Sequence, residues 1–209
     1  MFRKFLYGLP AFGLAFAILV ISLLKSATVR YAFGAATPTP SASVETKSFQ
    51  VDYFLPYPGK ILPDSPLWSF KAIRDFLWYR LTVDPLKRAE IALLFSDKRI
   101  GASQTLFENK NSDLGVTTLT KSEKYLETAF QNEEEARKRG VDTSSFLIKY
   151  SLASLKHRQV IDQILEMAPE GARPSIIKTQ DYSKNAYKFS RDVLNSKGVP
   201  VPKSPFGGD

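Results

Sequence analysis

The chain has 209 residues, no cysteine, one histidine and a formal net charge of +8 at pH 7. That length suits one globular domain with attached segments, and the composition excludes disulfides, thiolate metal sites, cysteine lipidation and a histidine-rich metal centre. The basic excess is no nucleic-acid footprint: Arg3, Lys4, Lys25 and Arg30 supply half of it within residues 1–36, and the remainder is a mixed surface of 25 basic against 21 acidic residues.

Phe5 to Leu24 is a run of twenty uncharged residues. As a helix it would rise about 30 Å, one hydrocarbon thickness, so residues 1–25 read as a transmembrane signal-anchor. A cleaved signal peptide has a shorter apolar core with small residues close behind it. Here Lys25 follows the core directly, which favours retention. Gly34-Ala35-Ala36 offers a late cleavage site, and its use would make the protein secreted. A buried helix of a soluble domain fits a terminal, charge-free run of this length less well. Arg3, Lys4 and the terminal amine before the span, against Lys25 and Arg30 after it, give a small positive-inside bias. The expectation is a single-pass membrane protein with a cytoplasmic N-terminus and an extracytoplasmic main domain.

Residues 26–50 read as a linker, with the uncharged run T-P-T-P-S-A-S from Thr37 to Ser43. Residues 51–195 read as an all-α domain: an antiparallel bundle of about five helices with an extended Pro-rich arm leading into it. In the arm, Pro56, Pro58, Pro63 and Pro66 forbid an internal helix. Its apolar side chains, Tyr53, Phe54, Leu55, Tyr57, Ile61 and Leu62, are too many for a bare linker and are expected to lie along the helical body.

Asp64-Ser65-Pro66 opens the first helix, with Ser65 as N-cap, running from Leu67 to about Leu81. Asp84-Pro85 repeats the device and opens the second, to about Glu108. The third runs from about Leu114 to Arg139 and stops at Gly140. Its apolar positions end at Phe130, and the pairs Glu133/Arg137, Glu134/Lys138 and Glu135/Arg139 suggest an end projecting into water. Asp142 or Thr143 caps the fourth helix, to about Met167. The fifth runs from about Pro174 to Asn195, and residues 196–209 read as a disordered tail.

Candidate sites are few. Trp68, Phe70, Phe76, Trp78 and Tyr79 scatter round the first helix, which makes it apolar on nearly every side. Such a helix belongs at the centre of a bundle, and the rival reading is a helix on the bilayer surface. His157 falls on the apolar face of the fourth helix with Phe146, Tyr150, Ala153, Val160, Ile161 and Ile164, as a hydrogen-bonded core residue does. Glu90 and Asp97 read as solvated ion-pair partners on a helix surface. Asn109-x-Asn111-x-Asp113 lacks the glycine and the final glutamate of a calcium loop and reads as a helix–helix turn. No nucleophile elbow, phosphate-binding loop or zinc-protease signature is present. No catalytic residue, metal ligand or cofactor is expected.

The run Leu55-Pro56-Tyr57-Pro58-Gly59-Lys60-Ile61-Leu62-Pro63-Asp64-Ser65-Pro66-Leu67 is followed by Asp84-Pro85-Leu86-Lys87-Arg88-Ala89-Glu90 and Phe95-Ser96-Asp97-Lys98-Arg99. Over about residues 51–130 these resemble a bacterial family of extracytoplasmic helical domains of unknown function. That family has a P-Y-P-G-x-L-P-D-S-P-L motif ahead of its first helix. Arg88, Phe95 and Ile100 replace its usual Lys, Ala and Leu. The resemblance implies a signal or anchor before the domain and supplies no activity. The function expected is that of an envelope interaction or scaffold module whose partners are the membrane, through residues 5–24, and an envelope protein or polymer. The alternatives are a sensor, for which Met1–Lys4 leaves little to signal with, and an envelope hydrolase, for which Glu90, Asp97 or His157 would have to meet in a cleft.

Overall fold

The computed structural model describes residues 50–207. They form α1 (Trp68–Leu81), α2 (Pro85–Glu108), α3 (Ser112–Lys138), α4 (Ser144–Met167) and α5 (Arg173–Ser196), with a 3-10 turn at Glu170–Ala172. No strand occurs among the described residues, and the fold is all-α. The run Phe5–Leu24 and residues 26–49 of the linker lie outside the described residues; within them no helix is long and apolar enough to cross a membrane.

Side-chain pairing gives the topology. Arg88–Asn132, Ser96–Ser122 and Ser103–Gly115 join α2 and α3 in opposite chain order, so these helices are antiparallel. Ser151–Ser190 and Asp162–Gln180 do the same for α4 and α5. Asp97–His157 and Gln104–Gln163 run α2 and α4 in one direction. The four long helices therefore make an up-down-up-down bundle, with α2 and α5 each packed against both α3 and α4. Two apolar clusters fill it. One centres on Leu93, Leu126 and Tyr150, the other on Ile100, Leu119, Ile161 and Ile164.

Small residues set the distance between α2 and α3. Ser96 Oγ donates to the Ser122 carbonyl and Ser122 Oγ to the Ser96 carbonyl, each at 2.8 Å, and Ser103 Oγ donates to the Gly115 carbonyl at 2.8 Å. At Gly115 a Cβ would stand 2.8 Å from Cε2 of Phe107, a ring itself wedged in the core. Gly115→Ala gains up to about 1 kcal/mol of helix propensity but overpacks that seam, and a net loss of about 1–2 kcal/mol is expected. Urea denaturation with an unchanged m-value checks it.

The helix ends follow local chemistry. Asp84 Oδ1 accepts from the Leu86 and Lys87 amides at 2.8 and 3.1 Å, with Pro85 in the first turn. α3 ends where Gly140 takes φ +83° and the Val141 amide bonds back to the Ala136 carbonyl at 3.1 Å. At α1 the Asp64-Ser65-Pro66 segment makes a tight turn instead of a cap. The Trp68 amide bonds to the Ser65 carbonyl, Ser65 Oγ accepts only from the Leu67 amide at 3.3 Å, and the helix starts at Trp68.

Four expectations need correction. α1 is not central: Asp75 is its only buried residue, and it lies outside the four-helix bundle. The C-terminal end of α3 does not project into water, because Asn132, Glu133 and Ala136 are buried there. Thr143 Oγ1 donates to Glu133 Oε1, and Arg137 Nε lies 3.2 Å from the same oxygen, so this carboxylate ties the α3–α4 turn together. Asp97 is not on a solvated surface but 3 % exposed. The tail is ordered as far as Gly207. Val201 and Phe206 pack on the cluster of Val51, Leu155 and Tyr187, Tyr187 donates to the Pro202 carbonyl at 2.8 Å, and Arg158 lies over the Phe206 ring.

Candidate functional site

The Pro-rich arm runs over the bundle with alternating side chains. Val51 is buried, Tyr53 and Leu55 pack on the core, and Phe54 and Tyr57 stay exposed. Such alternation is what an extended segment gives on a flat support. Pro58 rests against Gly101 of α2. Gly59 turns the chain at φ +92°, a conformation that favours glycine. Lys71 of α1 clamps this turn, its Nζ donating to the Pro58 carbonyl at 2.8 Å and the Ile61 carbonyl at 3.3 Å. Burial lowers the Lys71 pKa, and the carboxylate of Asp75 works against that fall. Pro56, Leu62 and Pro63 are half-buried, while Asp64 and Pro66 are exposed. These residues are a fastening between arm, α1 and α2. Phe5 and Leu24 lie outside the described residues.

Beneath the arm sits a buried polar chain. Tyr53 donates to Asp97 Oδ2 at 2.6 Å, His157 Nε2 lies 3.0 Å from Asp97 Oδ1, and His157 Nδ1 lies 2.7 Å from Glu123 Oε1. His157 and Glu123 are 0 % exposed. Burial by itself pushes the imidazolium down, but Glu123 and Asp97 outweigh it and hold the pKa up at about 9. At neutral pH an imidazolium therefore sits between two carboxylates. Burial beside Asp97 likewise pushes the Tyr53 phenol up, so it stays a donor. Glu123 Oε2 has no hydrogen-bond partner.

Asp97 and His157 thus do meet, as hydrolysis would need, and Glu123, an unremarkable helix glutamate in the sequence, joins them. They meet in the core, however, where His157 and Glu123 are 0 % and Asp97 3 % exposed, and Glu90 is exposed elsewhere on α2. The arrangement is a structural ion network. Tyr53→Phe removes a charge-assisted bond and is expected to cost about 1.5–3 kcal/mol, read by chemical denaturation, with faster amide exchange in the arm. Among the described residues no cluster of three or more His, Asp or Glu side chains could hold a metal ion. Asn109, Asn111 and Asp113 lie in and just after the α2–α3 turn.

The exposed surface has two notable features. One is a groove of about 440 Å³ between α3 and α5, lined by Phe130, Tyr182, Phe189, Lys178, Asp181 and Asn185. The other is the outer face of α1. Its inner face reaches the bundle through few side chains. Trp78 meets the Phe95 ring edge-on at 5.8 Å, Tyr79 Oη accepts from Asn132 Nδ2 at 2.8 Å, and Arg88 lies over the Tyr79 ring. Asp75 points inward and favours the charged form of Arg99, whose pKa burial lowers. The outer face carries Phe70 at 71 %, Ile73 at 58 %, Phe76 at 63 % and Leu81 at 73 % exposure, with Leu77 between them. At 100° per residue these five cover an arc of about 140°, wide enough for a docking stripe. Full burial of one such side chain is worth on the order of 1.5–3 kcal/mol, and these, 37–73 % exposed, forgo part of it. Isolated exposed leucines are ordinary, whereas a contiguous stripe of this kind marks a contact surface.

No curated protein and no solved structure matches the chain. Residues 60–171 match a domain family, so the match begins within the arm and extends through α1–α4 to the 3-10 turn. It starts later than the resemblance drawn over residues 51–130, and it includes a fourth helix that the resemblance left out. Since this stretch is more than half of the chain, the protein belongs to the family described as a domain of unknown function, DUF5667.

Proposed function

We propose that the protein is a membrane-tethered, extracytoplasmic contact module, working by binding and not by catalysis. The observation that carries the reading is the outer face of α1: a domain that closes its own core still presents Phe70, Ile73, Phe76, Leu77 and Leu81 to the outside. The uncharged run Phe5–Leu24 supports the tether, since twenty uncharged, mostly apolar residues match one hydrocarbon thickness. Arg3 and Lys4 immediately before the run, against Lys25 immediately after it, give a small positive-inside bias that supports export of the domain. The network of Asp97, His157 and Glu123 has a structural task in the core and supports no hydrolase reading.

Alkaline carbonate extraction followed by N-terminal sequencing of the membrane fraction tests the tether. The chain is expected to resist extraction and to begin at its own N-terminus. A mature start near Thr37, or release into the carbonate supernatant, would overturn it.

A further inference from the structure

We infer that the outer face of α1 lies on the lipid bilayer, with Phe70, Ile73, Phe76, Leu77 and Leu81 at the level of the acyl-chain boundary and Arg80 among the phosphate headgroups. This rests on the membrane tether proposed above and names what the contact surface meets. Three observations select the bilayer over a protein.

The first is charge. α1 carries Lys71, Arg74 and Arg80 against a single acid, Asp75, and that acid is turned inward and paired with Arg74 at 2.7 Å. On a helical projection Arg80 falls within the apolar stripe, while Arg74 stands just beyond its edge and is turned to Asp75. An interfacial helix has that layout, its arginine stems lying along apolar surface and its guanidinium groups reaching anionic groups. Two such faces from two copies would bring like charges together.

The second is area. α1 has 14 residues, so it is only about 20 Å long, with a stripe about 10 Å wide. A flat contact of that size falls well short of the ~1,200–2,000 Å² of a stable protein–protein interface. Partition into a bilayer has no such threshold, because each apolar side chain that leaves water contributes separately.

The third is reach. Residues 25–49 separate the apolar run from the described domain, and 25 residues span at most about 90 Å. A domain on that tether meets the surface at high local concentration, so a weak interfacial helix is enough.

The chain has no cysteine, so Ile73→Cys and Lys149→Cys variants of the full chain each accept one fluorophore. Lys149 is an exposed residue of α4 and serves as the reference position. The labelled chains are reconstituted into vesicles of phosphatidylcholine and phosphatidylglycerol. The label at position 73 is expected to be quenched several-fold more than that at 149 by a lipid-borne nitroxide, and several-fold less by aqueous iodide. Equal iodide quenching at both positions overturns the inference. Shielding at 73 from both quenchers also overturns it, because it means that protein covers the face, either a second copy or the chain's own residues 5–24. Position 73 is on the exposed face, so the variant leaves the core untouched, and an unchanged thermal melt verifies that. Carbonate extraction of the same vesicles keeps the two claims apart. A chain that resists extraction with a water-exposed label at 73 retains its tether and loses the lipid contact. A chain that is extracted loses the tether, whatever the label reads.

Discussion

Replacing His157 with alanine is expected to destabilise the domain by roughly 3–5 kcal/mol at neutral pH, the largest effect of any single substitution considered. His157 is the cation between Asp97 and Glu123, and all three are buried. Removing it leaves two carboxylates facing each other across an empty site. The protein must then protonate one of them, admit water, or unfold. A domain of this size has a total stability of only about 5–15 kcal/mol, so the variant sits near the edge of folding. Urea denaturation at pH 7 measures the loss, with the midpoint falling and m unchanged. A loss below about 1 kcal/mol would mean that the network is not charged as described. Asp97→Asn combined with Glu123→Gln removes the charge problem from the other side. In that background His157→Ala is expected to cost much less, which a double-mutant cycle reads directly.

The second large effect is a fall of stability with rising pH. His157 holds its proton up to about pH 9 in the folded chain, against 6.5 as its ordinary value. A group whose pKa is raised by folding contributes stability that is complete below the unfolded pKa and is lost as pH rises through the folded one. The network therefore stabilises fully below about pH 6.5, and that contribution drains away as pH passes through about 9. At 1.36 kcal/mol per unit the change is about 3 kcal/mol. Tyr53 and Tyr150, both pushed up by burial, act in the same direction above pH 10, because their phenolates form only when they are exposed. The measurement is the denaturation midpoint at intervals from pH 6 to 9.5. The expected curve falls for the native chain and is much flatter for the His157→Gln variant. A native curve that is flat or rising over this interval contradicts a protonated His157.

Much of the helical frame was legible in the sequence, because its signals are local. Asp84-Pro85 announces α2 through one side chain and one ring, and Gly140 ends α3 because only a left-handed residue closes that turn. The periodic face of α4 placed His157 inside. What stayed hidden depends on contacts between elements. Glu123 and Asp97 look like solvent-facing charges until the imidazole between them is known. Glu133 looks like half of a surface i,i+4 pair, yet it is buried because Thr143, ten residues on, needs an acceptor there. The helical repeat puts Ser96 and Ser103 on the packed face of α2, but not their partners: with Ser122 they work by smallness and by donating to the facing helix. The tail read as disordered, but Val201 and Phe206 find a ready apolar shelf.

The instructive misreading is α1. A helix with aromatic residues on every side suggests the centre of a bundle, and the four following helices leave no room for it there. Its two faces have separate uses. Trp78, Tyr79 and Asp75 hold it to the domain, and Phe70, Ile73, Phe76, Leu77 and Leu81 remain on the outside. Sequence periodicity reports that a side chain is apolar, not which neighbour covers it. The buried network and the arm then acquire a common purpose: Tyr53 and Lys71 fix the arm and α1 to the bundle, so the exposed face is presented on a rigid support.

Intact cells offer the sharpest test of a tethered extracytoplasmic domain with a covered α1 face. Full chains bearing Ile73→Cys or Lys149→Cys are treated with a membrane-impermeant maleimide. Ready labelling at 149 and several-fold slower labelling at 73 are expected. Equal rates at the two positions, or no labelling at either until the cells are broken, would contradict it.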